Sequence, residues 1–340
     1  MTRRTFGASQ GRRVGRCAWR EGDQRLLLRA PGPVLPGRGG LRRRGAAVPR
    51  RRRGPGLAVL VAVPPQRRAL LERHLDGLRD HLSFADLRDL GRNPGRIIPE
   101  VRRFADAHAG RPLAFVGEPI WPGRTPAETR AATSHEALLN VAFAGRPGAI
   151  LCPYDAAGFA PEVLADAEVT HPLLLEVGVR RPRARFVPPS TVHGPVPPLP
   201  PPPGWADALA YGPGRLMALR RFVRRHARAA GLDRGRIHDA LLAVTEVATN
   251  SLRHGGGGGT LWVWTEPGAD GSTGQAAGEL VCELRDAGHI QDPLAGRYLP
   301  SDHAENGRGP WLVHQLCDVV EMRSDLSGTT TRLHVRAAAS

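Results

Sequence analysis

The chain has 340 residues, an apolar fraction of 41% and a formal net charge of +16. That leaves room for two ordinary domains with real cores, and no run approaches the ~18 apolar residues of a membrane span. The charge does not describe a nucleic-acid-binding surface. All 48 basic residues are Arg, and residues 1–56 hold sixteen of them against only Glu21 and Asp23, so this end carries +14 and the remaining 284 residues only +2.

Arg, Gly and Pro supply 32 of residues 1–56. Such a composition buries too little apolar surface to offset ordering entropy, so the segment is expected not to fold. Its abrupt end near Gly56 fits a shifted reading frame in a GC-rich gene. From residue 57 to 180 strand-like and helix-like segments alternate. Leu57–Val63 reads as a buried strand, Gln66–His81 as a helix and Arg96–Ala109 as another. Pro112–Val116 is a strand, followed by the loop Gly117-Glu-Pro-Ile-Trp-Pro-Gly123. A helix over Pro126–Phe143, a strand over Ala149–Cys152 and a helix over Pro161–Glu168 follow. This order favours a parallel sheet covered by helices. Residues 181–204 read as a proline-rich linker, with Pro195–Pro203 as a semi-rigid polyproline spacer.

The last zone, 205–340, opens with Leu216, Leu219, Phe222, Val223 and Ala227 at helical spacing. A helix over Arg234–His254 comes next, then strands at Thr260–Thr265 and Glu279–Arg285. A helix over Pro310–Val320 and a strand over Thr329–Val335 close the chain. Helices and antiparallel-type strands in two layers make this part an α+β sandwich. The four cysteines, Cys17, Cys152, Cys282 and Cys317, form no CxxC pair, so their spacing indicates neither a zinc site nor a disulfide framework. With no secretory leader in view, a cytoplasmic protein is expected.

The chemistry is concentrated in this zone. Glu246 and Asn250 stand at i and i+4 in Thr245-Glu-Val-Ala-Thr-Asn-Ser-Leu-Arg-His-Gly255 and share one helix face. Asp286-Ala-Gly288 follows a strand, Gly307-Arg-Gly309 precedes a helix, and Gly328-Thr329 enters the final strand. In order and spacing these elements resemble the N box, the two glycine boxes and the closing threonine of the GHKL ATPases, and within that group the anti-sigma-factor serine kinases. The resemblance implies a Bergerat-type two-layer sandwich that binds ATP with Mg²⁺. Asn250 would hold the metal through its amide oxygen, and Glu246 would take the proton of the attacking hydroxyl. Asp286 would read the adenine amine, with Gly288 letting the backbone approach the base. Gly307, Arg308 and Gly309 would face phosphate at a helix N-terminus. His254 and Thr329 complete the nucleotide set, and His289–Asn306 would be a mobile lid. Pro310, where the family usually has an aliphatic residue, removes one phosphate-facing donor. The implied partners are a sigma factor and a STAS-type antagonist phosphorylated on Ser or Thr, without membrane or direct nucleic-acid contact. A sensor histidine kinase and a non-catalytic, ATP-dependent sequestering protein are the alternatives. The former would use His135-Glu-Ala-Leu-Leu-Asn140 as its acceptor box.

Residues 57–180 resemble the MEDS sensory domain. The resemblance rests on Leu60-Val-Ala-Val-Pro64, the Gly117–Gly123 loop, His135–Asn140 and Cys152-Pro-Tyr-Asp155. It implies a RecA-like parallel sheet and a small-molecule ligand. No Walker A loop is present. Open α/β sheets bind ligands outside the carboxyl ends of their strands. The candidate sensory residues are therefore Glu118, Trp121, His135, Glu136, Cys152, Tyr154 and Asp155. MEDS-like domains normally begin with a further strand and helix, which no segment before Leu57 resembles.

Overall fold

The computed structural model describes residues 25–30, 56–74, 82–155, 158–176, 179–191, 193–196, 198–267, 278–299 and 308–337. It is a mixed α/β structure built on two sheets. The first has seven strands in the order β3-β2-β4-β5-β1-β6-β7. These are β1 Arg25–Ala30, β2 Ala58–Val63, β3 Leu82–Asp86, β4 Leu113–Gly117, β5 Gly148–Asp155, β6 Leu173–Glu176 and β7 Val179–Pro182. All neighbours run parallel except β6 and β7. Strand β2 is a continuous apolar run, as suits a strand buried on both faces.

Helices α1 (Pro65–His74), α2 (Leu87–Leu90), α3 (Ile97–Ala107), α4 (Pro126–Ala142) and α5 (Pro161–Thr170) accompany this sheet. A short 3₁₀ turn, Pro94–Arg96, leads into α3. Helix α4 starts where its sequence dictates: Thr125 Oγ1 accepts from the Glu128 amide, Glu128 Oε2 accepts from the Thr125 amide, and Pro126 occupies the first turn.

The sequence expectation that nothing before Leu57 folds does not hold for β1. Arg25–Ala30 lies between β5 and β6, with Arg25 opposite Ile150 and Leu27 opposite Leu174. Averaging composition over 56 residues hides the short run Leu26-Leu-Leu28, and two waiting edges give that run its ladder. Residues 1–24 and 31–55, on which the rest of the shifted-frame expectation falls, lie outside the described residues.

The second sheet is antiparallel, in the order β11-β12-β10-β9-β8. Its strands are β8 Asp207–Tyr211, β9 Gly259–Glu266, β10 Glu279–Asp286, β11 Val319–Asp325 and β12 Gly328–Arg336. Helices α6 (Leu216–Ala229), α7 (Arg234–His254) and α8 (Arg308–Leu316) belong to this half. Asp233 caps α7 by accepting from the Arg236 amide. Helix α7 buries Ala240, Leu241, Val244, Val247, Ala248 and Ser251 at a 3–4-residue period. The helix expected over Pro310–Val320 ends at Leu316, and Val319 instead begins β11.

A charged set that includes Glu283, Arg332 and His334 is buried on this sheet as well. Arg332 Nε donates to Glu283 Oε2 at 2.7 Å. The proline linker lies against these residues. Pro200 O accepts from Arg332 and Val196 O accepts from Arg323. The linker is thus a strap as well as a spacer. Among the described residues, no helix is long and apolar enough to cross a membrane.

Candidate functional site

The C-terminal domain holds a cleft with a volume of about 630 Å³. Helix α7 supplies Glu246, Asn250 and His254 to its wall, β10 and the following turn supply Asp286 and Gly288, α8 supplies Arg308 and Gly309, and β12 supplies Thr329. The structure therefore brings these sequence-selected residues to one place. Gly307 lies outside the described residues. The volume lies within the range of small-molecule and cofactor sites. Gly309 passes so close to α7 that a Cβ there would meet Glu246 Oε2 at 2.5 Å, with Asn250 Nδ2 at 3.7 Å. A side chain at this position would displace the Glu246 carboxylate from the head of α8.

A hydrogen-bond chain fixes Asp286. The Tyr211 hydroxyl donates to Ser251 Oγ at 3.0 Å, and Ser251 Oγ donates to Asp286 Oδ2. Oδ1 accepts from the Gly288 amide at 2.8 Å. Each carboxylate oxygen keeps a lone-pair site for a donor in the cleft. Burial, with the Asp286 charge adding and the Ser251 hydrogen bond opposing, pushes the Tyr211 phenol up to about 12. Thr329 Oγ1 donates to Gly288 O at 2.8 Å and lies 2.7 Å from Ser324 Oγ. Its hydroxyl thus holds the Asp286–Gly288 turn in addition to lining the cleft. Sequence reasoning missed Tyr211, Ser251 and Ser324. Only Ser251, beside Asn250 and four residues past Val247 on the buried stripe, carried a local signal.

The lid is not free over its described part. Leu294 is buried in the apolar core of the N-terminal domain, together with Leu87, Ile97 and Ile98. The Arg102 guanidinium stacks over the Tyr298 ring at 5.0 Å. Burial pulls Arg297 down to about 10. Residues 300–306 of the expected lid lie outside the described residues.

Helix α8 is held from across the domain boundary too. The last carbonyls of a helix have no partner within it. Here Asn93 Nδ2 donates to His314 O at 3.0 Å and to Cys317 O at 3.2 Å. Arg96 Nε donates to His314 O at 2.9 Å, and its Nη2 donates to Gln315 O. A cation at a helix C-terminus also complements the macrodipole. The approach is tight, since a Cβ on Gly95 would strike the His314 ring. Burial, then the Arg297 and Arg96 charges, hold His314 well below the ordinary histidine pKa, so its ring is neutral. Further ion pairs join Arg92 to Asp318, Arg130 Nε to Glu321 Oε1 at 2.7 Å, and Arg336 Nη1 to Glu128 Oε1 at 2.8 Å. One end of α8 thus lines the cleft and the other is capped by the N-terminal domain.

The seven candidate sensory residues fall in two environments. Glu118, beyond the end of β4, pairs with Arg67 Nη2 at 3.3 Å. Burial raises the Glu118 carboxyl, with Arg67 opposing and the Asp155 charge adding. Trp121 packs against the core beneath Arg124, whose guanidinium lies 3.6 Å from the ring centroid. His135 and Glu136 on α4, and Cys152 and Tyr154 on β5, are buried as Glu118 is, whereas Trp121 and Asp155, the last residue of β5, are half-buried. His135 has no exposed surface, which counts against the acceptor-box alternative.

Residues 52–172 match the family described as MEDS, the MEthanogen/methylotroph, DcmR Sensory domain. Residues 210–335 match the family described as Histidine kinase-like ATPase domain. Solved structures similar to the chain include the RsbU and RsbW domains of a Mycobacterium tuberculosis protein, at 16% identity and a TM-score of 0.27, over 39% of this chain and 34% of that one. The chain spans about a third of that protein's length, and a likeness at this score carries no structural argument. No curated protein matches the chain.

Proposed function

From a chain that joins a MEDS sensory domain to a histidine kinase-like ATPase domain, we propose a sensor-controlled anti-sigma regulatory kinase. It binds ATP with Mg²⁺ and phosphorylates Ser or Thr of a STAS-type antagonist, and it sequesters a sigma factor when that antagonist does not compete. The observation that carries the reading is Glu246 and Asn250 facing Gly309 across the cleft. Asn250 offers a neutral amide oxygen for the metal, and Mg²⁺ when bound would neutralise phosphate charge there. Glu246 would accept the proton of the incoming hydroxyl. Asp286, oriented by Ser251 and Gly288, accepts from the adenine amine and selects against guanine, which presents a carbonyl at that position. The capping of α8 by Asn93 and Arg96 supplies a route for control.

The test is transfer of labelled phosphate from ATP by the full chain to a purified antagonist. Acid-stable label on the antagonist is the expected result. Acid-labile label on the chain itself would favour a histidine kinase. ATP binding without any transfer would favour the non-catalytic sequestering protein.

A further inference from the structure

Glu136, Cys152 and His171 form a polar cluster that the ATP site does not use. They come from α4, β5 and the residue following α5. Each offers one ligand atom, and these atoms lie within 4.8 Å of one another. Their exposures are 0%, 1% and 0%. A carboxylate at such depth costs several kcal/mol unless compensated by a counter-charge and hydrogen bonds. Part of that compensation is visible, since the Tyr154 hydroxyl donates to Glu136 Oε2.

The histidine is oriented for coordination. His171 Nδ1 lies 2.8 Å from Ala167 O and 3.0 Å from Thr170 Oγ1. Donation to the carbonyl puts the proton on Nδ1 and makes Nε2 the basic nitrogen. Metal-binding histidines are commonly fixed in this way by a backbone carbonyl. One sulfur, one nitrogen and one oxygen donor suit zinc and the ions that replace it, and do not suit Mg²⁺ or Ca²⁺.

We propose that Glu136, Cys152 and His171 bind one thiophilic divalent ion of the zinc class. Binding converts the Cys152 thiol to a thiolate and releases its proton. Three protein ligands leave a fourth position for water or for a signal molecule, as in non-structural zinc sites. The inference rests on reading this domain as a sensor, and it supplies the chemistry sensed. The same helix that carries Glu136 also carries Arg130, which pairs with Glu321 of the ATPase domain.

The probe is Co²⁺ added to the purified full chain. One Co²⁺ per chain is expected, with the intense near-ultraviolet band of a cobalt–thiolate bond, and Zn²⁺ should displace it. Cys152→Ser should abolish the band, and His171→Gln should weaken binding at least about a hundredfold. Saturating Zn²⁺ should raise the melting temperature of the unmodified chain, a readout that needs no variant. No retained Co²⁺, a band that survives Cys152→Ser, or a melting temperature indifferent to Zn²⁺ would each overturn the proposal. Calorimetric titration with Mg·ATP on the same preparations separates its failure from failure of the ATP reading, because the ATP cleft has no thiol to give the band.

Discussion

In the C-terminal domain Glu246, Asn250, Asp286 and Arg308 line a cleft of about 630 Å³, and none of them is fully buried. In the N-terminal domain Glu136, Cys152 and His171 lie within ion-binding distance of one another with almost no exposed surface. The first arrangement suits a large ligand that enters and leaves with every turnover. The second suits an ion together with the small ligand that completes its coordination. On the proposed reading, turnover falls to the C-terminal domain and reporting to the N-terminal one, with α8 between them.

Four measurements test this contrast, beginning at Glu246, where the change in rate should be greatest. Glu246→Gln keeps shape and hydrogen bonding but loses basicity, so phosphate transfer should fall about 10²–10⁴-fold. ATP affinity measured by calorimetry should stay nearly unchanged. A wild-type transfer rate would remove Glu246 from the chemistry. Next comes Asp286→Ala, which deletes a charged acceptor and leaves the Ser251 hydroxyl only Val247 O to donate to. ATP affinity should drop about tenfold to a hundredfold, from the 1.5–3 kcal/mol of a charged hydrogen bond. Affinity equal to the parent's would show that the base is read elsewhere.

Asn93→Ala addresses the link between the domains. It leaves the His314 and Cys317 carbonyls without that donor and should cost about 1–3 kcal/mol of stability, read by calorimetric melting. If α8 transmits control, ATP affinity should shift as well, although Asn93 lies outside the cleft lining. A melting change with unaltered ATP affinity would make the contact merely structural.

The last effect concerns pH. Burial alone would lower His334, but hydrogen bonds and charge from Glu279 and Glu321 raise it to about 9. A group raised on folding stabilises the protein fully below its unfolded value, near 6.5, and that contribution is lost as pH rises through about 9. Melting temperature should therefore decline across that window, and the decline should flatten in His334→Gln. Identical slopes in the two proteins would show that the triad does not govern this range.

How much of this was legible depended on where each partner lay. Glu246 and Asn250 could be placed together from spacing alone, because helix period is a local property and Asp233 and Gly255 mark the ends of α7. The Asp286 turn and Gly309 were found through glycine and carboxylate chemistry that needs no distant partner. The lid was read as mobile because nothing near Leu294 in sequence shows that the N-terminal core receives it. The Val319-Val320 pair reads equally well as helix or strand until β12 supplies its ladder.

By itself, then, the sequence determined the order of the two domains, the faces of the amphipathic helices and the residue types of the nucleotide cleft. Each is written in side chains a few positions apart. Tertiary structure alone decided that Arg25–Ala30 joins the parallel sheet, that His171 meets Glu136 and Cys152, and that Asn93 and Arg96 cap α8. These are pairings between segments distant along the chain. A buried carbonyl, sheet edge or carboxylate needs some partner, but which distant residue supplies it is fixed only when the chain closes on itself.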